Sequence, residues 1–449
     1  MEVPKKGAAV TIIDDLCAPV GKERRKKMRV YKFGGASVRD AERIRDLEGI
    51  LASRPEGPLM VVVSAMGKTT NALEEVAAAF FAGRREEALE RFGRIRDAHL
   101  QTAAALSPEM GASAGGLLEP FCTEAEWLLH DRPVRGYDYY YDQIVCIGEL
   151  LSTTLVAAWL NEKGFRVAWL DVRDVMRTDD DFREAGIDWE VTRANTERLV
   201  GPLFENHDIV LTQGFIGATA DNESTTLGRE GSDYTAAVFA NLLKADSLTI
   251  WKDVPGILSA DPKVIPSTVL IPELDYDEVI EMSYCGAQVI HPKTIKPLQN
   301  ASIPLHVRSF TDPSAPGTVI HNRMTGRMPP IVVKKSNQVL LRLHSKDFSF
   351  VGERPVGELY ALLDRLRLKP NLIQTGAVTV LVVLDDRPEK VDRLCRECAT
   401  LFDTELQRGL SLVTIRHYDE ASISAHASHA RFLIRQQTPE TLQVLVEGE

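Results

Sequence analysis

No stretch of this 449-residue chain approaches the ~18 consecutive apolar residues that a membrane span needs, so nothing in it reads as a bilayer segment. Cysteine is scarce as well. Six scattered residues do not make a disulfide scaffold and fit a reducing compartment, so a cytoplasmic location is expected. Cys395 and Cys398 form a C-x-x-C, but their stretch has a helical pattern and no second pair lies nearby. Chance spacing on a helix is preferred there to a redox or zinc role. Positive charge does not dominate either: the net charge of −11 argues against non-specific binding to nucleic acid or anionic membranes.

What the chain does have is 44% hydrophobic and 26% charged residues, enough for well-buried cores in a soluble protein of roughly two or three domains. Residues 1–27 do not read as part of them. Asp14 and Asp15 interrupt the only apolar stretch, which therefore fails as a signal-peptide core, and Glu23-Arg24-Arg25-Lys26-Lys27 is a solvated charge cluster. A disordered, dispensable leader or a start codon placed too far upstream is expected, with Met28 just before the first strand.

Residues 28–322 alternate strand and helix patterns. Segments 59–64, 165–170, 209–213 and 247–251 are continuous apolar runs, as in parallel strands covered on both faces. Amphipathic helices are expected over 143–162 and 192–205, with a helical excursion over 71–131. The fold class is therefore α/β, a three-layer αβα sandwich on a mostly parallel sheet. Gly326 and Pro329-Pro330 mark a linker at 323–330. Beyond it, over 336–449, come a strand at 340–344, a helix at 356–366 and strands at 371–375 and 378–384. Two more strands, 412–418 and 430–435, have only a short gap between them.

Two segments carry the chemistry. Val30-Tyr31-Lys32-Phe33-Gly34-Gly35-Ala36-Ser37 is an apolar strand bearing a lysine, then a glycine pair, then Ser37 opening a helix from Val38. Adjacent glycines let backbone approach phosphate oxygens, and a helix start offers free N–H groups. Gly228-Arg229-Glu230-Gly231-Ser232-Asp233 is a charged loop feeding a second helix over 234–243. A phosphate grip with a lysine, plus a charged loop aimed at a small anion, points to phosphoryl transfer.

Other turns are less decisive alone. Met66-Gly67-Lys68-Thr69-Thr70 suggests a P-loop, but that pattern needs a glycine where Val62 stands. Gly148-Glu149-Leu150-Leu151-Ser152 places one carboxylate inside an apolar helix, costly to bury unless it is paired. The tyrosines at 137, 139, 140 and 141 are read as packing.

K-F-G-G-x-S followed far downstream by G-R-x-G-S-D resembles the amino-acid kinase superfamily, and the aspartate kinases most closely, over about residues 29–384. The resemblance implies ATP-dependent phosphorylation of the L-aspartate side chain to 4-phospho-L-aspartate, which feeds lysine, threonine and methionine synthesis. Lys32 becomes the transition-state lysine and Asp233 the group that orients it. Gly34, Gly35, Ser64, Gly67, Thr225 and Thr226 fall on the phosphate side. Glu149 takes the substrate ammonium and Arg229 its α-carboxylate, with Ser37, Gly231 and Ser232 alongside. Lys252, Asp253, Gly256, Ile257, Asp261 and Lys263 match the nucleotide segment. Mg²⁺ is expected on the ATP phosphates, with no dedicated protein ligand.

Departures from the family pattern matter too. Ala36 replaces a threonine, Lys252 another, and Gln288 a lysine that touches nucleotide, a charge that Lys263 or Lys293 would then supply. Glu230 replaces a glycine and is expected to point outwards. His291 reads as structural. The 336–449 region resembles ACT modules that bind an amino-acid effector, the second one truncated. Asn371 and Gly376 stand where lysine-sensitive members carry an aspartate and a serine, so weak lysine inhibition is expected. A monofunctional homo-oligomer completes the reading. Its rivals are a catalytically dead amino-acid sensor and an acetylglutamate or glutamate kinase.

Overall fold

The computed structural model describes residues 27–287, 290–323, 326, 328–346, 350–427 and 432–447. Apart from Lys27 the expected leader lies outside these, as does Gln288. In chain order the first ten strands are β1 (Arg29–Phe33), β2 (Leu59–Val63), β3 (Val167–Leu170), β4 (Ile209–Gln213), β5 (Ile216–Ala218), β6 (Ser224–Thr226), β7 (Ser247–Lys252), β8 (Glu273–Asp275), β9 (Leu305–Ser309) and β10 (Thr318–His321). Eight form one sheet in the order β3-β4-β2-β1-β7-β9-β10-β8, while β5 and β6 make a separate hairpin. Pairing is parallel from β3 across to β9, and β10 runs antiparallel to β9.

Every residue of β2 and β4 is buried, because helices cover both faces of the sheet. Those helices are α1 (Ala41–Ala52), α2 (Thr69–Phe81), α3 (Arg85–Leu106), α4 (Pro108–His130), α5 (Tyr137–Val145), α6 (Ile147–Glu162), α7 (Trp189–Asn195), α8 (Gly201–Asn206), α9 (Gly231–Leu242), α10 (Tyr276–Cys285) and α11 (Pro292–Ala301). Segment Tyr137–Glu162 is long and apolar enough to cross a membrane by composition, but 83% of its most apolar 18-residue stretch is buried inside the protein. The first helix begins at Ala41, capped by Asp40, rather than at Val38; only a 3₁₀ turn occupies Gly35–Val38. β1 sits mid-sheet between β2 and β7, where strand order reverses, so its carboxyl end opens into a crevice of the kind that binds ligands in α/β sheets.

The C-terminal region builds a second sheet from β11 (Ile331–Ser345), β12 (Pro370–Thr375), β13 (Thr379–Asp385), β14 (Phe402–Arg416), β15 (Ile434–Gln437) and β16 (Thr441–Glu447), in the order β12-β13-β11-β14-β16-β15. With it go α12 (Glu353–Arg365), α13 (Pro388–Cys398) and α14 (Glu420–Ala427). Cys395 and Cys398 fall on α13, as their helical pattern suggested. The gap expected to be too short for a helix holds α14, and the following strand begins at Ile434. β11 and β14 are long enough to serve both halves of the sheet, bending at an irregularity between Lys335 and Gln338.

This sheet is locked to the first domain. Val332 N–H donates to the Ser259 carbonyl at 2.8 Å, and Val332 shares a hydrophobic cluster with Ala260 and Ile265. Arg416 grips both oxygens of buried Glu278, at 2.6 and 2.8 Å.

Candidate active site

Parallel pairing brings the ends of β1 and β7 side by side, Phe33 opposite Trp251, and so places Lys32 and Lys252 at one edge of the crevice. Asp233, in the first turn of α9, meets both: Lys32 Nζ is 2.6 Å from Oδ1 and Lys252 Nζ is 3.7 Å from Oδ2. Burial alone would raise the Asp233 carboxyl, but the two ammonium groups hold it below its ordinary value. The aspartate stays ionised and fixes the lysine in place.

The glycine pair lets two turns pack against each other. A side chain on Gly35 would come within 2.6 Å of the Ala65 carbonyl and 2.9 Å of that of Gly67, so only glycine lets the two turns touch. Gly67 N–H donates to Gly35 O at 3.0 Å, and Gly67 itself has φ +58°. Gly34 lies against the Lys32 ammonium. Ser64 lines the cavity, but Ser37 is buried and outside its wall.

Glu149 is 2% exposed on α6. Its Oε1 accepts a hydrogen bond from Ala65 N–H at 3.3 Å, and its Oε2 has no hydrogen-bond partner among the described residues. Burial pushes this carboxyl up to about 8. The flanking residues explain its motif. A side chain on Gly148 would press on Leu73, Thr69 and Ala65, and Ser152 Oγ donates to Ser64 O at 2.8 Å.

The downstream loop turns sharply, with φ +75° at Gly228 and 55° at Glu230. Glu230 does not point outwards: its carboxylate accepts from His291 N–H at 3.0 Å and ties the loop to the start of α11. His291 is structural, as expected, capping α11 through Lys293 N–H. Arg229 is exposed on the cavity wall and makes no ion pair among the described residues. Gly231, Ser232 and Thr226 share that wall. Thr225 does not, because alternate residues of a strand face opposite sides; its hydroxyl meets Thr178 at 2.8 Å.

Three residues here escaped sequence reading. Asp142 is fully buried and accepts from Thr226 N–H, Thr226 Oγ1 and Arg183 N–H at 2.8, 2.7 and 2.9 Å. Burial raises its carboxyl to about 6 against those bonds. It holds the hairpin on α5, and the carboxylate inside an aromatic stretch was the available signal. Tyr141, read as packing, lines the cavity and donates to Glu74 at 2.6 Å. Phe215, with φ 74°, lines it too, and nothing in its sequence marked it.

The cavity holding Lys32, Glu149, Arg229 and Asp233 measures about 1130 Å³. Beside it lies a smaller one of about 390 Å³, and Lys252 borders both. Of the residues matched to the nucleotide segment by resemblance, Gly256, Ile257, Asp261 and Lys263 line the smaller cavity and exposed Asp253 does not. Lys293 borders a third hollow, while Lys263 lines the smaller cavity together with Lys252 and Lys334. Ile331, Val332 and Val333 of β11 close the smaller cavity, a contribution the sequence did not suggest.

Residues 27–309 match the model of the amino acid kinase family. The chain belongs to that family. Among its aspartokinases, the lysine-sensitive aspartokinase 3 of Escherichia coli (strain K12) is 35% identical over 398 residues, covering 86% of each chain. The chloroplastic aspartokinase 2 of Arabidopsis thaliana is 30% identical over 406 residues, 86% of this chain and 73% of its own. Two crystal structures of E. coli aspartokinase III superpose across 94% of this chain and 96% of theirs. The R-state with aspartate and ADP gives a TM-score of 0.76 at 32% identity, and the T-state with lysine and aspartate 0.74 at 31%. This member of the family is thus a kinase of the aspartokinase type.

Proposed function

We propose that the protein transfers the γ-phosphoryl group of ATP to the side-chain carboxylate of L-aspartate, giving ADP and 4-phospho-L-aspartate. One observation carries the substrate choice: among the described residues, buried Glu149 Oε2 has no hydrogen-bond partner and the Arg229 guanidinium in the same cavity makes no ion pair. An orphaned buried carboxylate calls for a cation, and an α-amino acid brings an ammonium next to a carboxylate that an arginine holds with two parallel bonds. N-acetylglutamate has no ammonium to offer Glu149.

Lys32 then faces the transferred phosphoryl group, where a preorganised ammonium stabilises charge spread over its oxygens, and Asp233 holds it in position. The nucleophile is a carboxylate with an ordinary pKa near ~3.9, already ionised, so no general base is needed. Ser64, on the cavity wall, offers a hydroxyl donor to the phosphates, while the glycine turns at 34–35 and 67 lie behind that wall and set the course of the strand ends. The smaller apolar cavity takes the adenine. Mg²⁺, carried on the ATP phosphates, would neutralise their charge; the described residues contain no cluster of three or more carboxylate, histidine or cysteine groups to cage it.

A reducing, cytosol-like compartment suits the cysteine usage, although the Arabidopsis relatives are named chloroplastic. Open edges at β12 and β15 offer a homo-oligomer its pairing surfaces. A coupled ADP-release assay with Mg-ATP tests the reading, with L-aspartate, glutamate and N-acetylglutamate offered separately. Turnover with L-aspartate is expected; turnover with N-acetylglutamate alone would overturn it.

A further inference from the structure

The wall of the larger cavity is built by both parts of the chain, and the two differ in charge. Up to Lys252 the lining residues include four cations, Lys32, Arg183, Arg229 and Lys252, against seven carboxyl groups, Glu149 and Asp233 among them. Counting Glu149 as protonated still leaves that half acidic. The C-terminal region adds Arg367, Lys369, Arg387 and Lys390 against Asp364 alone. None of those four cations makes an ion pair among the described residues.

Local structure explains why two of them face the cavity. α12 ends in a tight turn in which Arg367 N–H donates to Asp364 O at 2.8 Å and Leu368 N–H to Leu363 O at 2.9 Å. Leu366 and Leu368 are buried in the C-terminal core, which leaves Arg367 and Lys369 exposed between them and β12. Arg367 adopts φ 51° to make the turn. His291, held below its ordinary value first by burial, also feels Arg229 and Lys369, which puts both cations near the Glu230 loop.

We propose that Arg367 and Lys369 are substrate-site residues: a cationic roof, supplied by the C-terminal region, that lets an otherwise acidic cavity admit anionic substrates. The proposal rests on the kinase reading above for the substrates being ATP and aspartate. Both arrive with net negative charge, and a low-dielectric cleft focuses the field of whatever charges line it. Without the roof, each substrate meets carboxylates in excess. With it, the potential is balanced.

The test compares Arg367→Ala/Lys369→Ala with wild type in the full chain, after a thermal melt confirms folding. KM for ATP and aspartate should rise about fivefold or more at low ionic strength, with kcat little changed. The gap should close as salt is raised toward ~0.5 M, where screening removes such fields. Arg367→Lys/Lys369→Arg, which keeps the charge, should behave as wild type. Arg354→Ala removes a cation from the preceding helix α12, away from the cavity, and should leave KM and its salt dependence alone. Unchanged KM values in the double variant, or a rise equalled by Arg354→Ala, would overturn the roof. Calorimetry with ADP alone keeps the two proposals apart: if the wild type does not phosphorylate aspartate, the kinase reading fails, while weaker salt-sensitive ADP binding by the double variant still supports the roof and unchanged binding rejects it.

Discussion

The Lys32 ammonium stands 2.6 Å from Oδ1 of Asp233, and both groups are buried at the carboxyl end of the central strand. On the proposed reading, a lysine held this way meets the charge that develops on a transferred phosphoryl group. Lys32→Ala should keep the fold and lower kcat by roughly a hundredfold or more, as when a preorganised donor is removed. Steady-state kinetics beside a far-UV spectrum check this; near-normal turnover would take Lys32 out of its role.

Glu149 predicts a pH dependence. In the empty site its carboxyl stays protonated up to about 8. The substrate ammonium favours the ionised form, so aspartate binding at pH 7 should release a proton, and affinity should climb as pH rises to about 8. Calorimetry in two buffers of different ionisation enthalpy reads the proton directly. Glu149→Gln should lose both the affinity and the release.

The same group bears on stability. Between its ordinary 4.5 and about 8, the unfolded chain has already lost a proton that the folded one keeps. Stability of the empty protein therefore falls as pH rises through that window, and Glu149→Gln should flatten this part of the slope. Denaturant midpoints measured across pH 5–8 decide it; a stability that rises equally in both proteins would contradict the assignment.

Arg229 is proposed to hold the α-carboxylate. Arg229→Lys keeps the charge and loses the two-pronged geometry, so KM for aspartate should rise far more than KM for ATP. Equal changes in both would count against it.

Regulation should differ from that of the lysine-sensitive relative. The Asn371 amide donates to Gln338 Oε1 and Asp385 Oδ1 and accepts from Lys335 Nζ, at 2.6, 2.8 and 2.8 Å. Its polar atoms are already engaged by residues of the chain itself, and a neutral amide does not balance an added ammonium. Weak or absent inhibition by lysine is expected, since only differential affinity shifts a conformational equilibrium. Lysine and threonine titrated separately into the aspartate assay check it, and strong inhibition by sub-millimolar lysine would refute it.

Much of this site was legible from residue types. The lysine strand with its glycine pair and the charged loop were readable as residues, and the family resemblance they carry pointed to Lys32, Glu149, Arg229 and Asp233. Sequence reading failed where direction mattered. Thr225 and Thr226 are neighbours with the same side chain, yet only Thr226 reaches the cavity wall, because a strand alternates its faces. Glu230 looked like a solvent-facing replacement until α11 brought a backbone N–H within reach.

The sequence by itself determined the alternating β and α elements, the phosphate turns and the charges available for chemistry, since periodicity and glycine placement act over a few residues. Only the tertiary structure decided which charges meet. Asp142 finds Thr226, Arg416 finds Glu278, and β11 closes the smaller cavity, through pairings far apart in the chain. Such contacts depend on how sheet and helices stack. No local pattern encodes that the cations at 367 and 369 stand over the carboxylates of a domain completed long before them.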